Sequence, residues 1–93
     1  MAVKIFIKRK STTSQTAELN QLLKKLRSMT LGQPGYISGE TLQRIDQPGE
    51  SMVISTWRSV DDWNKWVNND KRMVIQSEID DLLGEETEYA IYG

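Results

Sequence analysis

The stretch from Pro34 to Trp66, PGYISGETLQRIDQPGESMVISTWRSVDDWNKW, constrains the fold more than any other part of the chain. Two β-prone runs, 36–45 and 51–57, flank Asp46-Gln47-Pro48-Gly49-Glu50. Proline presets φ at the first central turn position and glycine accepts positive φ at the second, so this short connection predicts an antiparallel hairpin. Directly after it, Ser59-Val60-Asp61-Asp62 reads as a capping box with Asp in place of the usual Glu or Gln. It predicts a short helix that presents Trp63 and Trp66 on neighbouring faces.

The flanking sequence supplies the partners for that hairpin. Val3 to Lys8 alternates, with Val3, Ile5 and Ile7 on one side and Lys4, Phe6 and Lys8 on the other, the period of a strand. The basic run Lys8-Arg9-Lys10 at its exit is either an anion site or, the reading preferred for three basic residues there, simply solvated. Ser14 and Thr16 are the candidate caps of a helix whose apolar stripe is Leu19, Leu22, Leu23, Leu26 and Met29, ended by Gly32, Pro34 and Gly35. Strict alternation along the second strand puts Tyr36, Ser38, Glu40 and Leu42 on one face, and Gly39 marks a bulge or a close backbone approach. Asn68, Asn69 and Asp70 interrupt the first tryptophan helix and cap another, with Met73, Gln76, Ile79, Leu82 and Leu83 in phase, Ile75 beside them and Gly84 at its end. A last strand spans 87–92.

The order is strand, helix, strand, strand, helix pair, strand. This predicts an α+β, ferredoxin-like split β-α-β fold, in which one domain over residues 1–93 carries a four-stranded antiparallel sheet with helices on one face. Both sheet faces are apolar, as Val3, Ile5 and Ile7 show on the first strand and Met52 and Ile54 against Val53 and Trp57 on the third. Helices cover only one face, so the other is expected to pack on a second copy in a homodimer.

Composition narrows the function classes. A chain of 93 residues with net charge -1 has no basic field for nucleic acid or an anionic membrane, and no apolar run long enough to span one. A soluble, cytoplasmic protein is expected. Cysteine and histidine are both absent, which removes thiolate chemistry, the commonest metal ligand and the commonest general base near neutral pH. Glu40, Arg44 and Arg58 are candidates for a polar rim, and the acidic group Asp80, Asp81, Glu85, Glu86 and Glu88 reads as a solvated face. The three tryptophans are the one unusual density. They are core residues, or at least one lines a cavity where an aromatic ligand stacks.

Taken together, PGYISGETL, a strand ending VISTW, and the serine-capped SVDDWNKW resemble the antibiotic biosynthesis monooxygenase (ABM) domain family, over essentially the whole chain to YAIYG. The resemblance implies a dimeric α/β-barrel, two ferredoxin-like subunits packed sheet to sheet. It further implies a cofactor-independent monooxygenase, with neither cofactor nor metal, acting on a small aromatic, polyketide-like or quinol compound. The alternative is a non-catalytic dimeric module on the same scaffold that binds a small molecule or another protein. The family's heme-degrading branch places a first-strand asparagine near Lys8, a helix tryptophan at Trp66 and an iron-binding histidine near Gln76. Without histidine that branch is disfavoured. On the cofactor-independent reading the catalytic candidates are Trp66, for stacking, with Arg58 and Lys8, cations that favour an ionised phenol. Trp63, Trp57, Tyr36 and Gln76 are the substrate-binding candidates.

Overall fold

Alternation decides the first strand. In the computed structural model, which describes residues 2–93, β1 runs Val3–Lys10, two residues beyond the expected end. A short 3-10 turn, Thr13–Gln15, leads into α1 (Thr16–Thr30). The hairpin β2 (Tyr36–Gln43) and β3 (Glu50–Trp57) follows, then α2 (Val60–Val67), α3 (Asp70–Leu83) and β4 (Glu88–Tyr92). The sheet order is β2-β3-β1-β4, antiparallel throughout. This is the expected ferredoxin-like α+β arrangement, with the hairpin strand β3 pairing back onto β1.

Local chemistry explains each boundary. Glu50 N–H donates to the Gln47 carbonyl at 3.3 Å, and Gly49 at φ +97° supplies the positive dihedral that closes the β2–β3 turn. Ser59 Oγ accepts from the Asp62 N–H at 3.1 Å and opens α2. Asn69 Oδ1 accepts from the N–H groups of Lys71 and Arg72, at 3.0 and 3.2 Å, and opens α3. The first helical segment starts earlier than Ser14 or Thr16 would suggest. Gln15 Oε1 accepts from the Thr12 N–H at 2.9 Å, so Thr12 opens the 3-10 turn ahead of α1.

The core lies between one sheet face and the three helices. Val3, Ile5, Ile7 and Trp57 meet Leu19 and Leu26 of α1, Trp63 and Trp66 of α2, and Ile75 and Ile79 of α3. Among the described residues no helix lies on the opposite face. There Lys4, Phe6 and Lys8 pair across the sheet with Thr56, Ile54 and Met52, and with Tyr92, Ala90 and Glu88. Phe6 and Tyr92 pack edge to face at 5.0 Å. Among the described residues no helix is long and apolar enough to cross a membrane.

Three expectations need correction. Arg9 is not solvated: β1 continues, so Arg9 stays in phase with Val3, Ile5 and Ile7 and is only 3% exposed. Its neighbours Lys8 and Lys10 do face outward, each ion-paired to Glu50, at 3.7 and 3.9 Å. In β2 the register shifts between Tyr36 and Ser38, leaving Ile37 as an extra residue opposite β3. Tyr36 therefore pairs with Trp57 and shares the inner face with Gly39 and Thr41, instead of the outer face with Glu40 and Leu42. On α3 the buried face is Arg72, Ile75, Gln76 and Ile79, while Met73 is 52% exposed.

Candidate functional site

Between the inner sheet face and helices α1 and α2 lies a cavity of about 340 Å³, within the usual size range of small-molecule sites. Its apolar walls are Ile7, Leu23, Leu26 and Val53 with the three indoles of Trp57, Trp63 and Trp66. The strand register delivers Trp57, and the Ser59 cap fixes α2 so that Trp63 and Trp66 turn inward. The rings form a continuous aromatic series. Tyr36 meets Trp57 at 5.4 Å, Trp57 meets Trp63 at 5.7 Å and Trp63 meets Tyr89 at 5.5 Å. Trp57 Nε1–H donates to Ser55 Oγ at 3.1 Å, so the most buried indole has its donor satisfied. At the exposed rim Arg27 Nη2 donates to Thr41 Oγ1 at 3.3 Å, beside Gly39 and Glu40.

Two arginines also line this cavity, Arg9 and Arg72, only 3% and 2% exposed. Arg72 lies 5.5 Å from the centroid of Trp63, 5.9 Å from Trp66 and 5.3 Å from Tyr89, a cation held among three π faces. Its Nη2 donates to the Tyr89 hydroxyl at 2.9 Å. Gln76 Oε1 accepts from Arg9 Nη2 at 3.3 Å and lies 3.5 Å from Arg72 Nη2, so both cations converge on one neutral oxygen. The amide nitrogen of Gln76 donates to Asp80 Oδ1 at 2.8 Å and to Thr87 Oγ1 at 2.7 Å. Thr87 donates to the same Asp80 oxygen from its backbone N–H and its hydroxyl. Asp80 is thus tied into the interior network rather than merely solvated.

The electrostatics are unbalanced. Among the described residues neither Arg9 nor Arg72 forms an ion pair with a carboxylate, and the Nε–H of each has no acceptor. Burial lowers the pKa of Arg9 to about 10, Tyr89 opposes that shift, and the positive Arg72 adds to it. An apolar, aromatic cavity with two under-compensated cations is suited to stacking a flat ring and stabilising negative charge on it.

The family model described as antibiotic biosynthesis monooxygenase matches residues 3–76. The chain belongs to that family. Solved structures agree with its fold. A conserved protein from Methanosarcina mazei Go1 superposes with a TM-score of 0.90 at 23% identity, covering 99% of this chain and 91% of that one. SnoaB, a cofactor-independent oxygenase from Streptomyces nogalater, gives 0.86 at 14% identity, covering 99% and 91%. Rv0793 from Mycobacterium tuberculosis gives 0.87 at 15% identity, covering 100% and 94%. No curated protein matches the chain significantly.

In this member of the family the expected site residues fall into three groups. Trp57, Trp63 and Trp66 line the cavity together. Tyr36 packs on Trp57 with its hydroxyl over Gly39 at the rim, and Gln76 lies behind the cavity as the shared acceptor of the two arginines. Lys8 and Arg58 are elsewhere. Lys8 is on the outer sheet face against Glu50, and the Arg58 side chain is 72% exposed with its Nε 3.8 Å from Asp62. The cations at the cavity are Arg9 and Arg72, neither of them among the expected site residues. Their signals were present: Arg9 continues the inward alternation of Val3, Ile5 and Ile7, and Arg72 precedes Gln76 and Ile79 at helical spacing.

Proposed function

We propose that this protein is a cofactor-independent monooxygenase acting on a small aromatic or quinol-type compound bound in the tryptophan-lined cavity. The observation that carries the reading is the combination of three indoles with two buried guanidiniums around one cavity of about 340 Å³. The indoles supply stacking. Arg9 and Arg72, in the role expected of Arg58 and Lys8, favour the ionised form of a phenol or quinol. That electron-rich anion is the reductant: a quinol and O2 yield the ring-hydroxylated quinone and water, with quinol-to-quinone and C–H-to-C–OH oxidation together supplying the four electrons. The working unit on this reading is a single domain over residues 1–93, paired into a homodimer through the helix-free sheet face.

Oxygen uptake with a simple quinol such as menadiol, against a heat-denatured control, tests the reading. Uptake that depends on folded protein is expected, and Trp66→Leu should weaken quinol binding by about tenfold or more if stacking supplies it. Unchanged binding by a still-folded Trp66→Leu protein would remove the stacking role. One observation favours a second reading, a non-catalytic binding module. The cavity's only carboxylate among the described residues is Glu40, exposed at the rim, so no buried base faces the ligand. Saturable quinol binding without oxygen uptake would select that reading.

A further inference from the structure

Buried charges in proteins are normally paired, because an ion removed from water without a partner costs several kcal/mol in effective terms. Arg9 and Arg72 break that pattern together. Both are nearly inaccessible, both border the same cavity, and both Nε–H groups lack an acceptor. The one carboxylate in their network, Asp80, reaches them only through the Gln76 amide, which turns its oxygen to the cations and its nitrogen to Asp80. One remote negative charge against two positive charges leaves the site a full charge short. The two guanidiniums stand side by side, within 3.3 and 3.5 Å of a single oxygen atom.

We infer that the cavity takes an aromatic ligand bearing a carboxylate, which bridges the guanidiniums of Arg9 and Arg72. The inference rests on the proposed reading of the cavity as an aromatic-ligand site and adds the charge of that ligand. A carboxylate is ionised at neutral pH without help from the protein, and its two oxygens match two adjacent guanidinium edges. A phenolate offers one oxygen and must first lose its proton. The indole walls favour a ligand with an aromatic body over a small inorganic anion, which would make no contact with them.

The test is an anaerobic titration of tryptophan fluorescence with 1,4-dihydroxy-2-naphthoate and with its methyl ester, which differ only in the charged group. The acid is expected to bind about ten- to a hundredfold more tightly than the ester, the range for hydrogen bonds to charged groups. Arg72→Met should lose most of that preference. Gln76→Glu keeps both arginines and supplies an internal carboxylate, so it too should lose the preference, and it serves if Arg72→Met fails to fold. Equal binding of acid and ester by the native chain overturns the inference and leaves the aromatic site standing. An acid preference undiminished in Gln76→Glu also overturns it, since the carboxylate is then held elsewhere. If neither compound binds, the aromatic reading falls and this inference falls with it.

Discussion

Arg9 shows how one side chain can weaken a fold while equipping it. Its guanidinium is buried, meets no carboxylate among the described residues, and lies near a second cation. Replacing buried ionic groups by well-packed apolar side chains of similar volume is often neutral or stabilising, by about 1–4 kcal/mol for a whole ion pair, and an uncompensated charge has less attraction to lose. Arg9→Met is therefore expected to raise Tm by several degrees while weakening binding of the ligand. The pH dependence follows from the direction of the shift. Arg9 has a pKa of about 10 when folded, below its ordinary value, so folding shifts the group toward its neutral form. The penalty is complete below about pH 10 and fades as pH rises from there toward the ordinary arginine pKa. Thermal melts of the native chain and Arg9→Met should differ by a constant amount from pH 7 to 9 and converge above about pH 10. A lower Tm for Arg9→Met at pH 7 would show that Gln76 compensates the charge after all.

At the scale of elements, caps and turns fix where the site's side chains stand. Asn69 caps α3 through the N–H of Arg72 itself, so the same bond that starts the helix anchors the cavity's cation. Asn69→Ala is expected to cost about 1 kcal/mol, visible as a lower Tm and faster amide exchange in the first turn of α3. In β2 a Cβ at Gly39 would lie 2.6 Å from the Tyr36 hydroxyl oxygen but 3.6 Å from Cζ of the ring. Gly39→Ala should therefore be destabilising, by about 1–3 kcal/mol, and much less so in a Tyr36→Phe background. Additive effects in that double-mutant cycle would mean that the Tyr36 ring does not sit over Gly39. These elements also mark what the sequence made legible. The Pro48-Gly49 turn, the Ser59 and Asn69 caps and the stop at Gly84 are local patterns, and they yield the element order and the ferredoxin-like fold directly. The inward tryptophans were likewise readable from spacing. The two arginines carry the same periodic signal, but a basic residue in such a pattern reads as a surface residue until tertiary packing shows otherwise. The inner placement of Tyr36 depended on one extra residue, Ile37, which inverts the alternation before it.

For the whole molecule, the helix-free sheet face is the main surface available for packing. It carries Phe6, Met52, Ile54 and Tyr92 among Lys4, Lys8 and Glu88, an apolar centre with a charged margin, as homodimer faces have. If two copies meet there, Phe6→Lys should convert a dimer to a monomer in sedimentation analysis without altering the tryptophan cavity on the other side. A monomeric native chain would instead leave this face to some other partner. Because β1 runs through both sides, its residues alternate between that face and the cavity, and neither can be rearranged without the other. The two guanidiniums that share the Gln76 oxygen have a practical consequence for finding the natural compound. A protein held below its attainable stability by missing negative charge reports its own ligand when heated. At a hundredfold excess over Kd, binding adds about 2.7 kcal/mol, on the order of ten degrees in Tm for a chain of this size. Sorting a collection of aromatic acids by melting temperature would rank them by how well each completes the interior, with no assumption about turnover.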